Sequence, residues 1–295
     1  MKAVITGASG LLGRPTVKAF QQAGWDVIGT AFSRAKNGLV KLNLTDASAV
    51  EEFLKEQKPN VLVHCAAERR PDVAEQDHEG VLRLNIETPR CLATICKELG
   101  IMLIYISTDY VFDGKNPPYE VDDKPNPLQF YGKTKLGGEE AIKSVYPEAV
   151  ILRVPILYGK TEYNSESAVN ILIDVVLNHD KPATVDNVGV RYPTNVQDVA
   201  RVLKDLAVAK LEKHKDIQGI YHFSGEECMT KYQICEVLSN VLNVPMDHLT
   251  AQNTIDKAAS VSRPENSHLS NKRLQETGID TNFVKLGTWF SENLL

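Results

Sequence analysis

Tyr131 and Lys135 stand four residues apart in Tyr-Gly-Lys-Thr-Lys. If Gly132 to Lys143 is helical, both side chains fall on one face. A lysine ammonium beside a phenol favours the phenolate and draws the tyrosine pKa toward the working pH. Such a tyrosine can give a proton to a carbonyl oxygen while a hydride arrives from a nicotinamide. A second hydroxyl would hold that oxygen. Ser107 and Thr108 stand at the end of a strand-like run, where the carboxyl edge of a parallel sheet faces a ligand crevice.

A hydride carrier needs a cradle for its phosphates. Residues Lys2 to Thr6 read as a short buried strand, followed by Gly7, Gly10 and Gly13 in Thr-Gly-Ala-Ser-Gly-Leu-Leu-Gly. An amphipathic stretch, Leu11 to Ala23, comes next. Gly7 allows the tight turn, Gly10 lets the backbone approach a pyrophosphate, and Gly13 lets helix and strand pack closely. The helix start then offers free N–H groups and a partial positive charge to the anion.

The second strand, Asp26 to Phe32, should meet the adenosine ribose. An acidic residue there would bind both ribose hydroxyls and select NAD. The stretch Gly29-Thr-Ala-Phe-Ser-Arg-Ala-Lys36 holds no carboxylate. Arg34 and Lys36 are cationic and Ser33 can donate, which suits a 2′-phosphate and hence NADP(H). Asp46 either accepts from the adenine amino group or caps the helix that it precedes.

The remaining elements must position these groups. Val40 to Leu44 reads as a third strand, Asp46 to Gln57 as a helix, and Val61 to Ala66 as a strand buried on both faces. Helical stretches run to Leu99, with Thr88 as N-cap, Pro89 as first helical residue and Gly100 as the stop. Met102 to Ser107 and Ala149 to Val154 are further strands. Asn195 to Ala209 is a helix, and Gly219 to Phe223 one more strand. Repeated βα units predict an α/β fold of Rossmann type: a doubly wound parallel sheet with helices on both faces. Residues 1–155 and about 190–223 form its nucleotide-binding domain. About 156–189 and 224–295 lack the βα rhythm and are expected to make a smaller, discontinuous lobe for substrate or partner. The proline-rich run Asp113 to Phe130 should be an ordered loop near the carboxyl ends of the strands.

The chain has 295 residues, enough for a large core. A net charge of −5 gives no reason to expect nucleic acid or an anionic membrane as partner. No apolar run approaches a membrane span, and no signal or transit peptide is recognisable. The five cysteines include no C-x-x-C pair, so free thiols in a reducing cytoplasm are expected. The histidines lack metal-ligand spacing, and no metal site is expected.

The glycine turn, the strand-end Ser107-Thr108 and Tyr131-x-x-x-Lys135 together resemble the extended short-chain dehydrogenase/reductases. Within them the chain is similar to the dTDP-4-dehydrorhamnose reductase group. That likeness rests on Ser-Thr-Asp-Tyr-Val-Phe-Asp-Gly from Ser107 to Gly114, and on Tyr131-Gly-Lys-Thr-Lys-Leu136 followed by Glu139. It rests also on Tyr192-Pro-Thr194 with Asp198-Val-Ala200, and on Arg263-Pro-Glu-Asn-Ser267. The resemblance implies catalytic roles for Ser107, Thr108, Tyr131 and Lys135. On this pattern the cofactor contacts are Gly7, Ser9, Gly10, Leu11, Leu12, Gly13, Phe32, Ser33, Arg34, Asn43, Leu44, Cys65, Ala66, Ala67, Arg69, Asn85, Tyr131, Lys135, Val154 and Pro155.

A narrower likeness is to the methionine adenosyltransferase regulatory β-subunit family. His64-Cys-Ala-Ala-Glu-Arg-Arg-Pro-Asp-Val73, Arg153-Val-Pro-Ile-Leu-Tyr-Gly159 and Glu166-Ser-Ala-Val169 carry it. Sugar reductases usually hold Tyr-Thr and then Val-Asp after Ala-Ala, where this chain has Glu68, Arg69, Arg70 and Pro71. The animal members carry a leader before the glycine motif and a longer C-terminal tail. The resemblance implies an NADP-binding protein that associates with the catalytic subunit making S-adenosylmethionine. An NADPH-dependent reductase of a 4-keto nucleotide sugar is the alternative, and an NADP(H)-binding redox sensor acting on another partner is a third reading.

Overall fold

The computed structural model describes residues 1–68, 74, 76–254 and 262–294. Seven parallel strands form its central sheet: β1 (Lys2–Thr6), β2 (Asp26–Ala31), β3 (Val40–Lys41), β4 (Val61–His64), β5 (Met102–Thr108), β6 (Val150–Val154) and β7 (Gly219–His222). Their spatial order is β7-β6-β5-β4-β1-β2-β3. The chain leaves β1 for β2 on one side and later returns to lay β4 on the other. Thr6 pairs with both Thr30 and His64, so β1 ends at the point where the strand order reverses. In doubly wound sheets that reversal opens the ligand crevice.

Period-2 alternation sorts the strand residues between two apolar layers. Ala3, Ile5, Val61, Val63, Ile104 and Leu152 face Leu11, Leu12 and Phe20 of the first βα unit and Val199, Leu203 and Leu206 of a long helix, Val196–Leu211. Val4, Leu62, Leu103, Tyr105 and Ile151 face the other way, onto Leu54, Leu92, Cys96 and Ile142. These belong to helices Ala47–Gln57, Thr88–Leu99 and Phe130–Val145. Continuous apolar strands are therefore covered on both faces, which is what a parallel sheet requires.

Two local expectations resolve in particular ways. Asp46 is the N-cap: its carboxylate accepts from the Ala49 N–H at 3.1 Å, and its backbone is extended. Thr88 is not an N-cap. It is helical, with φ −59° and ψ −50°, inside a run that passes from His78–Leu82 through a π-turn at Arg83–Glu87 into Thr88–Leu99. In a regular helix the Pro89 ring would crowd the carbonyl four residues back, at Asn85. The π-turn widens the backbone there by one residue. The Asn85 carbonyl is instead approached by the Tyr105 hydroxyl at 3.5 Å. Gly100 ends the helix in the left-handed conformation, φ +67°.

A third apolar cluster joins Tyr158, Val169, Leu172, Val176, Val185, Ile234, Leu238, Leu249, Trp289 and Phe290. It packs helices Ile171–Leu177, Lys231–Leu242 and Leu286–Asn293 around a two-stranded parallel pair, Ala183–Asp186 with Leu249–Gln252. The loop of residues 113–129 is tied down by Tyr119, whose N–H donates to the His268 carbonyl and whose ring stacks on Phe112. Among the described residues no helix is long and apolar enough to cross a membrane.

Candidate functional site

A cavity of about 880 Å³ opens at the carboxyl ends of β1, β2, β4, β5 and β6. Its floor begins with the glycine turn. Gly7 is left-handed, φ +65°, and a Cβ there would sit 2.9 Å from the Ala66 nitrogen. A Cβ at Gly13 would fall 2.1 Å from the Gly7 carbonyl oxygen. Both positions therefore exclude every side chain, and the turn lies directly on the start of β4's loop. The following helix, Gly13–Gln22, has no side-chain cap at its start. Such a start holds unsatisfied amides that suit phosphate oxygens. A dinucleotide phosphate thus fits the backbone this cradle presents.

The cavity wall gathers most of the expected set. Gly7, Ser9, Gly10, Leu11, Leu12, Gly13, Phe32, Ser33, Arg34, Asn43, Leu44, Cys65, Ala66, Ala67, Val154 and Pro155 all line it, with Ser107, Thr108, Tyr131 and Lys135. Asn85 does not. Its amide is paired with the Glu68 backbone in both directions, at 3.1 Å each, and its Nδ2 also donates to Thr134 Oγ1. It pins the β4 loop to the helix that carries Tyr131. Arg69 falls outside the described residues, as do Arg70, Pro71, Asp72 and Val73. Asp46 is absent from the wall, consistent with its capping role.

Tyr131 and Lys135 both project from helix Phe130–Val145. Lys135 is nearly fully buried. Its Nζ donates to the Ile106 carbonyl at 2.7 Å and lies 3.9 Å over the centre of the Tyr105 ring. Burial pulls its pKa down to about 7, with nearby Glu139 opposing. Tyr110 meets Tyr131 edge to face, centroids 6.3 Å apart.

The strand-end hydroxyls divide their work. Ser107 donates to Glu139 Oε1 at 2.5 Å, and Glu139 accepts from Arg153 Nε and Nη2 at 2.9 and 2.7 Å. All three are buried. Ser107 is thereby held in the interior network. Thr108 donates to Asp109 Oδ1 at 3.1 Å and accepts from the Tyr110 N–H. Asp109 also accepts from Ser267 Oγ at 2.6 Å, and burial pushes its pKa up to about 6.

At the ribose end, Arg34 lines the cavity, yet its Nη1 donates to Glu166 Oε1 at 2.7 Å and Glu162 Oε2 at 3.0 Å. Arg14 holds Glu166 from the other side at 2.7 Å. Neither Glu162 nor Glu166 was expected here. They stand more than a hundred residues from Arg34 in the chain, and no local pattern connects them. Arg191, Lys231 and Arg263 add cationic side chains to the wall. They too went unnoticed, although Arg263 lies in a quoted motif. Among the described residues no three metal-ligating side chains gather.

Known proteins match this arrangement over its whole length. The family model described as RmlD substrate binding domain matches residues 1–287. The Xenopus laevis protein named methionine adenosyltransferase 2 subunit beta is 45% identical over 278 residues, covering 94% of this chain and 83% of its own length. The crystal structure of a dTDP-4-dehydrorhamnose reductase from Clostridium acetobutylicum is 30% identical, with a TM-score of 0.86, covering 100% of this chain and 98% of that one. A dTDP-4-dehydrorhamnose reductase from Bacillus anthracis, solved in complex with NADP, shares the fold at a TM-score of 0.86 and 24% identity, covering 99% of this chain and 98% of that one. The chain belongs to the RmlD substrate binding domain family, where its close relatives include methionine adenosyltransferase 2 β subunits.

Proposed function

We propose that this chain is an NADP(H)-binding regulatory β subunit that associates with a methionine adenosyltransferase catalytic subunit. The observation that carries the reading is the 45% identity to a protein of that name across 94% of the chain. The cofactor part rests on the site itself. Arg34 sits at the end of β2, where a carboxylate would select NAD, and the glycine turn leaves phosphate-sized backbone open. Residues of about 156–189 and 224–295 serve in this account as a smaller lobe for substrate or partner. A reducing cytoplasm suits the five free thiols.

The alternative keeps a specific observation in its favour. Thr108, Tyr131 and Lys135 line one cavity with the phosphate cradle. Bound NADPH supplies a hydride. Tyr131 would give its proton to the ketone oxygen, Thr108 would hold that oxygen by turning its hydroxyl proton from Asp109, and charged Lys135 would favour the phenolate that remains. Arg191, Lys231 and Arg263 in the same wall would suit the phosphates of a nucleotide sugar.

Size-exclusion chromatography of the chain mixed with a methionine adenosyltransferase catalytic subunit separates the readings. Co-elution at micromolar concentration supports the regulatory one. Separate elution with and without NADP, together with turnover of a dTDP-4-keto sugar, supports the reductase.

A further inference from the structure

Glu166 is a charged side chain at 2% exposure, in the wall loop whose neighbours Ser165, Ser167 and Ala168 line the cavity. Its carboxylate is fully engaged. Oε1 accepts from Arg34 Nη1 at 2.7 Å and Arg14 Nη1 at 3.2 Å. Oε2 accepts from Arg14 Nη2 at 2.7 Å and from the Glu162 N–H at 2.9 Å. Arg14 in turn donates to the Ser9 carbonyl of the glycine turn and to the Lys160 carbonyl of the wall loop. The loop is anchored on its other side by Ser167, whose hydroxyl donates to the Leu157 carbonyl at 2.8 Å. Glu166 is thus a fixed post joining three segments: the phosphate turn, the end of β2, and the loop of residues 160–168.

Arg34, unlike Glu166, reaches the surface, with its side chain 39% exposed. Among the described residues only its Nη1 is engaged; no hydrogen bond involves its Nε or Nη2. The guanidinium fork has two usable edges, and a phosphate is bound best when one whole edge is presented to it. An unanchored arginine would lose rotamer freedom on binding, and one already held loses less. Exposed Glu162 shares the same Nη1 and is free to swing into solvent. Buried Glu166 is not, because withdrawing it would break four hydrogen bonds and leave a poorly compensated buried charge.

We infer that Glu166 is the positioning residue for Arg34: it holds Nη1 from behind so that the Nε–Nη2 edge meets the 2′-phosphate. Cofactor selection then depends on a residue that touches no part of the cofactor and lies on a different loop. The inference rests on the reading of Arg34 as the phosphate partner. It has a second consequence. With NAD bound, Arg34 stays paired with Glu166 and Glu162, so NAD leaves no unpaired cation behind.

Isothermal titration of NADP and NAD into the full chain, as wild type, Glu166→Gln and Glu166→Asp, tests it. Glutamine keeps the shape and removes the charge; aspartate keeps the charge and withdraws it by one methylene. Both variants should lose about 3- to 10-fold in NADP affinity, the scale of one side chain's lost preorganisation, while NAD affinity holds. Thermal melting verifies that each variant is folded. Equal losses for both cofactors would reduce Glu166 to a merely structural role and overturn the inference. A gain in NADP affinity on Glu166→Gln would overturn it too, showing a carboxylate that competes with the phosphate. An unchanged preference in Glu166→Asp would do the same. If wild type itself binds NAD and NADP equally, the reading of Arg34 fails first, and with it the inference.

Discussion

Ser107 of the cavity wall and buried Glu139 meet at 2.5 Å, with Arg153 clamping the same carboxylate. Arg153 is among the largest fully buried side chains of the molecule, and the His222 ring lies 3.3 Å from its Nη1. The arrangement fixes β5 to helix Phe130–Val145 and to β6. It holds the Ser107 hydroxyl more tightly than Asp109 holds that of Thr108, at 2.5 against 3.1 Å.

Removing Glu139 should therefore be a stability lesion. Breaking a buried ion pair from one side costs about 3–5 kcal/mol, because the partner charge stays buried and unpaired. Urea denaturation of Glu139→Ala against wild type measures it. A loss below about 1 kcal/mol would mean that water or rearrangement relieves Arg153, contrary to the sealed network described.

The same geometry ranks the hydroxyls. If a ketone substrate is found, Thr108→Val should lower kcat far more than Ser107→Ala, and Tyr131→Phe should cost about 10²–10⁴ in rate. Steady-state kinetics of the three variants decide it. Full turnover in Tyr131→Phe contradicts the assignment of the proton donor.

Lys135 would set the pH dependence of that chemistry. Its pKa is pulled down to about 7 by burial, from an ordinary lysine value above 10. The charged ammonium is present below that value and lost above it. Tyr131-dependent turnover should fall as pH rises through about 7. A rate that stays level to pH 9 would show that Lys135 remains charged with substrate bound.

Much of this was legible in the sequence, for physical reasons. Strands buried on both faces must be continuously apolar, and Gly7 and Gly13 stand where no side chain fits. Tyr131 and Lys135 declare themselves by helical spacing. The π-turn before Thr88 was not legible, because Pro89 is compatible both with a helix start and with a widened turn. The direction of Ser107 depends on Glu139, and the environment of Arg34 on Glu166, 132 residues away. Tertiary pairs of that kind leave no periodicity behind. Asn85 read as a cofactor contact, whereas its amide is taken up by Glu68 and Thr134.

At the acid end, Glu166 should matter to stability. Burial pushes its pKa up, but hydrogen bonds from Arg14 and Arg34 outweigh it and hold the carboxyl at about 2. A depressed carboxyl contributes stability that is full above its unfolded pKa and fades as pH falls toward the folded value. The difference in melting temperature between wild type and Glu166→Gln should be largest above pH 5 and shrink between about pH 4.5 and 2. A difference independent of pH would place the effect in packing, with no part for the charge.

On the proposed function, Arg34 reads a 2′-phosphate. Calorimetric titration of NADP and NAD into wild type and Arg34→Ala tests it most directly. A hydrogen bond to a charged group contributes roughly 1.5–3 kcal/mol, or about a 10- to 150-fold preference. Wild type should favour NADP by that factor, and Arg34→Ala should lose it with NAD affinity nearly unchanged. Equal affinity for both cofactors in wild type, or an equal loss of both in the variant, would contradict the account.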